Sequence, residues 1–203
     1  MTNIDKFSFF FAFYGLILGL AVTELLGGFA GMVRAKALKQ LELQTALLAI
    51  LIFVLIVATW VDAFNMMQGT SLNLEDLWSP ILLATLYFVA AAVVFPREAE
   101  QFDHLRTYFA GRKKFIIGLL FAAEVADNIA SLDFMTTTYR EEPTWFWAYL
   151  LPYNIAILGC FAALLLVQSR RANIGLLAAL IALFVIPYWH QGAVDRFFIN
   201  LFS

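Results

Sequence analysis

Residues 43–66 read LQTALLAILIFVLIVATWVDAFNM, and the whole stretch holds one ionisable side chain, Asp62. About 20 mostly apolar residues, rising about 1.5 Å each, are what a helix needs to cross the hydrocarbon layer of a bilayer. Period-two alternation, the mark of a barrel strand, is absent. The stretch is therefore read as a transmembrane helix.

Working outward, the same pattern recurs over residues 7–33, 77–95, 115–135, 145–167 and 174–189. The first run has no basic leader and carries Glu24, and it ends in Gly and Met rather than a small-residue cleavage site. It is expected to stay in the mature protein. Composition agrees. The chain is 63% hydrophobic and 14% charged with mean hydropathy +0.82, against about 45–50% and about 25% in soluble domains. A net charge of −2 carries no electrostatic footprint for nucleic acid. The expected fold is all-α: one polytopic membrane domain over residues 1–203, a six-helix bundle in a plasma membrane of the bacterial inner-membrane kind.

Orientation follows from the cations. The segments after runs one, three and five hold Arg34, Lys36 and Lys39, then Arg97, Arg106, Arg112, Lys113 and Lys114, then Arg170 and Arg171, which is ten of the thirteen Lys and Arg. The opposite segments hold Lys6, Arg140 and Arg196. The positive-inside rule then makes the odd loops cytoplasmic and puts both termini outside. Trp60, Trp78, Trp145, Trp147 and Trp189 all fall near the ends assigned as outer.

Only the third connection is long. Phe102, Leu105 and Phe109 recur there at helical spacing, which predicts a short interfacial helix on the cytoplasmic leaflet between helices three and four. It would end in Arg112, Lys113 and Lys114, candidates for anionic lipid headgroups, with topology setting as the plainer reading. Residues 193–202 would form a second interfacial helix or prolong helix six beyond Pro187.

In helix one, Gly15, Gly19, Thr23, Gly27 and Gly31 recur every four residues, with Gly28 beside them. Helix four repeats the pattern with Gly118, Ala122, Ala126 and Ala130. Ridges of small residues let backbones approach in lipid, so both are expected to be packing seams that bring helices one and four together. Each seam has an acid beside it. Glu24 and Glu124 both lie ten residues from a cytoplasmic cation, Arg34 and Lys114 respectively, and so at similar depth. Asp127, Asn128 and Ser131 continue on the Glu124 side of helix four. An acid within the membrane is costly and faces the bundle interior or water. Glu24, Glu124, Asp127 and Asn128 are thus candidates for a proton or cation site. The alternative is carboxyls acting as interhelical hydrogen-bond glue to Thr23, Asn128 or Ser131. Three helices either side of the long loop would also have opposite orientation, the arithmetic of an inverted repeat.

Much familiar chemistry is missing. There is no phosphate loop, nucleophile elbow or HExxH motif, and no Lys within a span. His104 and His190 fall on opposite sides, and the lone Cys160 excludes an internal disulfide. No catalytic residue, metal or cofactor is expected. The functional expectation is a small proton- or cation-linked transporter or channel. The alternative is a non-catalytic membrane subunit, sensor or scaffold, with the bilayer, and either a second copy or a partner subunit, as company.

Overall fold

The computed structural model describes the backbone of residues 3–67, 78–97 and 104–202, and the side chains of 9–63, 78–97 and 104–187. Among these residues there are helices and no strands. Helix α1 (Asn3–Arg34) ends where Lys36 takes φ 56°, the left-handed conformation that stops a helix. The Ala37 N–H then bonds the Met32 carbonyl at 2.9 Å, and a short 3-10 turn (Leu38–Gln40) leads into α2 (Leu43–Met67). Helix α3 covers Trp78–Val94 and α4 covers Leu105–Ala130. Helix α5 (Leu132–Glu141) follows α4 after Ser131, at a bend of 53°. Helix α6 (Pro143–Trp145), a π-helical turn (Phe146–Leu150) and α7 (Leu151–Leu166) continue one another, and α8 (Arg170–Phe202) is last.

Four helices are long and apolar enough to cross a bilayer: Phe9–Arg34, Leu43–Ala63, Pro143–Leu166 and Arg170–Pro187. The bent pair α4–α5 is a candidate fifth, and α3 is apolar but only 17 residues long. No more than 39% of any of the four spans is buried, and large apolar side chains such as Phe9, Leu16, Phe29 and Leu166 stand exposed. A surface of that kind suits lipid as its solvent.

The helices pack in a ring, α1–α3–α4–α7–α8–α2 and back to α1, with α2 also touching α3. Each rod turns one stripe inward. On α1 it is Phe10, Tyr14, Leu18, Ala21, Leu25 and Met32; on α2, Leu48, Leu51, Ile52 and Leu55.

Several expectations change here. Helices α1 and α4 both flank α3 and make no substantial contact with each other. The glycine ridge is not a seam: a side chain added at Gly19 or Gly27 would meet nothing within 4 Å. Four residues turn a helix by about 400°, so a ridge of fourth residues drifts by about 40° a step and leaves any one face. The close approach is instead at Gly28, where a Cβ would come within 2.8 Å of Phe95. The weaker ridge on α4 fares alike, since Gly118 faces open space and Ala122 and Ala130 are exposed.

The expected interfacial helix is also absent as a separate element. Residues 105–114 are the first turns of α4, and Leu105 and Phe109 are buried on the stripe that continues through Ile116 and Leu120. Phe102 lies outside the described residues. The tail prolongs α8 through Pro187 to Phe202. A proline within a helix frees the carbonyl four residues earlier, here that of Leu183, and the Tyr153 hydroxyl donates to it at 3.0 Å. Before Pro152 the helix widens into the π-turn, where the Leu151 N–H reaches back five residues to the Phe146 carbonyl.

Candidate functional site

The inward stripe of α4 reads Leu105, Phe109, Lys113, Ile116, Leu120, Glu124, Asp127 and Ser131, each three or four residues from the last. Such spacing keeps all of them on one side of a helix. The acids therefore occupy positions that face protein rather than lipid.

At their level lies a cavity of about 480 Å³ between the second half of α2, the start of α3 and the end of α4. Asp62, Glu124 and Asp127 line it with the hydroxyl-bearing residues Tyr14, Thr59, Ser79, Tyr87 and Ser131, and among the described residues no basic side chain does. Asp62 and Asp127 are exposed at its mouth, whereas Glu124 is only 6% exposed. Beyond Glu124 the stripe of α4 is closed by buried Leu120 and Ile117. Tyr87 accepts a hydrogen bond from the Thr59 hydroxyl at 3.4 Å. The buried Tyr14 hydroxyl has no hydrogen-bond partner among the described residues, which is unusual for a buried polar group. Among the described residues, no group of three or more His, Cys, Asp or Glu is arranged to hold a metal ion.

The other sequence candidates are placed elsewhere. Asn128 turns its amide onto its own helix, donating to the Glu124 backbone carbonyl at 2.8 Å, and it does not line the cavity. Thr23 likewise donates to the Gly19 carbonyl at 2.8 Å. Neither of these donors serves a carboxyl group. Glu24 sits in a separate cavity between α1 and the end of α3, where Arg97 Nη2 lies 3.4 Å from its carboxylate. That ion pair is half in solvent, at 76% and 38% side-chain exposure for Arg97 and Glu24, and such pairs contribute little, about 0–1 kcal/mol.

Of the expected headgroup cations, Arg112 and Lys114 are exposed and Lys113 is buried. The Lys113 ammonium donates to the Val167 carbonyl at the end of α7 and to Asn173 Oδ1 at 2.7 Å. Asn173 Nδ2 passes the chain on to Gln44 Oε1 at 3.1 Å, tying α4, α7, α8 and α2 together.

Sequence reasoning missed Tyr14 and Tyr87, although both lie inside a span rather than at its interface, where tyrosines gather. It also missed Arg97 as the partner of Glu24 and the Gln44–Asn173–Lys113 network. Those pairings join residues far apart in sequence, and no local signal marks them. No family model, curated protein or solved structure matches the chain.

Proposed function

We propose that this is a small proton-linked transporter or channel of a plasma membrane, with six spans, both ends outside, and Glu124 as its titrating group. In this arrangement the cavity opens outward, Asp62 and Asp127 gather cations at its mouth, and Glu124 at its floor takes the proton. One observation carries the reading: a buried glutamate closes a cavity that, among the described residues, is lined by acids and hydroxyl-bearing side chains and by no basic one. A carboxyl group as buried as Glu124, beside Asp127 and with no basic side chain lining the same cavity among the described residues, favours a proton or cation for charge balance. Among the described residues the carboxylates are not set out as a metal cage, and the proton is the smaller demand on such a site. Glu24, held by Arg97, is outside this site.

In proteoliposomes under a pH gradient, wild type is expected to carry a pH-dependent proton flux. Glu124→Gln, which keeps the shape, abolishes it, while Glu24→Gln leaves it unchanged. Normal flux in Glu124→Gln would remove the glutamate from the mechanism.

A second reading is favoured by the closure at Leu120 and Ile117: a non-transporting sensor or subunit, in which protonation from one side alters packing only. It expects no flux from folded wild type, but a pH-dependent melting temperature that Glu124→Gln flattens.

A further inference from the structure

The opposite pole of the bundle carries a second site, independent of the acid cavity. We propose that it binds a phosphate-bearing anion in the cavity bounded by Arg106, Lys113, Lys114 and Arg170. That space, about 440 Å³, is within the range of about 300–1,000 Å³ typical of small-molecule sites. Among the described residues its lining includes four basic side chains and no acid.

The observation that points to a ligand is Lys113. It is 7% exposed, and both acceptors of its ammonium, the Val167 carbonyl and Asn173 Oδ1, are neutral. A buried charge without a counter-charge is costly. Glu42, which accepts from Gln44 Nε2 at 3.3 Å, does not line the cavity. An ammonium has three N–H donors, so one is left over here among the described residues. Arg106, Lys114 and Arg170 stand exposed around this buried charge. Two of the three are arginines, whose planar fork matches the oxygens of a phosphate. Arg170 also opens α8, so the partial positive charge of a 33-residue helix adds to the field. A phosphate group supplies the negative charge and the several acceptor oxygens that this arrangement lacks.

The phosphate has two sources, a phospholipid headgroup at the membrane edge or a soluble phosphate. The test uses delipidated full-length protein in a neutral detergent, with melting temperature titrated against phosphatidylglycerol, phosphatidylcholine and inorganic phosphate. A ligand that binds the folded state raises the melting temperature in proportion to its occupancy. Phosphatidylglycerol or inorganic phosphate is expected to stabilise wild type. The Arg106→Gln/Arg170→Gln double variant, which leaves the Lys113 network intact, is expected to bind about tenfold or more weakly, or about 1.4 kcal/mol. Arg34→Gln/Lys39→Gln removes two exposed cations that do not line the cavity and is expected to bind like wild type. If the double variant misfolds, the exposed Lys114→Gln serves in its place.

Response to phosphatidylglycerol alone assigns a lipid headgroup, and response to inorganic phosphate assigns a soluble ligand as well. Equal weakening in the cavity and control variants would reduce the effect to general surface charge and overturn the site. So would an equal response to phosphatidylcholine, or none to any probe.

Discussion

Helix α4 buries two ionisable groups on a single stripe, and their surroundings are opposite. Lys113 is tied to α7 and α8 through two acceptors, in a pole that is laced together by side chains. Glu124, towards the other pole, closes a cavity and has no basic neighbour in its lining among the described residues. Between them Ile116, Ile117 and Leu120 seal the helix face. The difference teaches how to sort polar residues in an apolar chain. A buried charge tied to fixed partners holds the structure whatever else it binds; one that faces a cavity without such ties is available for chemistry.

The contrast can be broken most directly at Lys113. Lys113→Met fills similar volume but abandons the Val167 carbonyl and the Asn173 amide, and breaking a buried polar tie of this kind costs about 3 kcal/mol. Unfolding by denaturing detergent should show that loss. A variant as stable as wild type would mean that the network is ornamental. Glu124→Gln in the same assay should shift stability by less than about 1 kcal/mol, since it keeps the side chain's shape and breaks no ion pair among the described residues.

The two poles differ in packing as well. Gly28→Ala pushes a Cβ into Phe95 at 2.8 Å, and overpacking typically costs about 1–3 kcal/mol. Gly15→Ala, where the nearest atom is Trp60 Nε1 at an ordinary 3.6 Å, should stay within about 0.5 kcal/mol of wild type. Equal melting temperatures for the two would show that the Gly28 contact relaxes freely. The smallest effect expected above that floor is at Tyr153→Phe, which deprives the Leu183 carbonyl of its donor for about 1 kcal/mol. A variant indistinguishable from wild type would mean that water takes the hydroxyl's place.

Much of this was legible in the residues. Hydropathy alone located the rods, because lipid-length runs are set by composition rather than by contacts, and Leu43–Met67 begins where the run was read. Glu124 and Asp127 stood out as acids where apolar residues belong. What stayed hidden depends on neighbours. The glycine ridge looked like a face because fourth residues are close on a helical surface, yet the inward stripe from Tyr14 to Met32 alternates threes and fours. Glu24 seemed the match of Glu124 until the ring order set α3 between their helices and brought Arg97 beside it. The bend at Ser131 has no proline to announce it. The Ser131 N–H still bonds the Asp127 carbonyl, and the Met135 N–H bonds the Ser131 carbonyl, so the turn keeps its hydrogen bonds while changing direction.

The ring order also constrains how the protein is made. Helix α2 presents its apolar face to α8, a helix joined to it through Gln44 and Asn173 across 129 positions of sequence. Helices emerge and enter the bilayer in chain order and associate afterwards. For most of synthesis, then, α2 waits in lipid with only α1 and α3 as company. Its place is completed only when α8 arrives to close the circle. Assembly that must bridge such distances is expected to be slow and exposed to wrong partners, which sets the arrival of α8 as the step to watch in biogenesis.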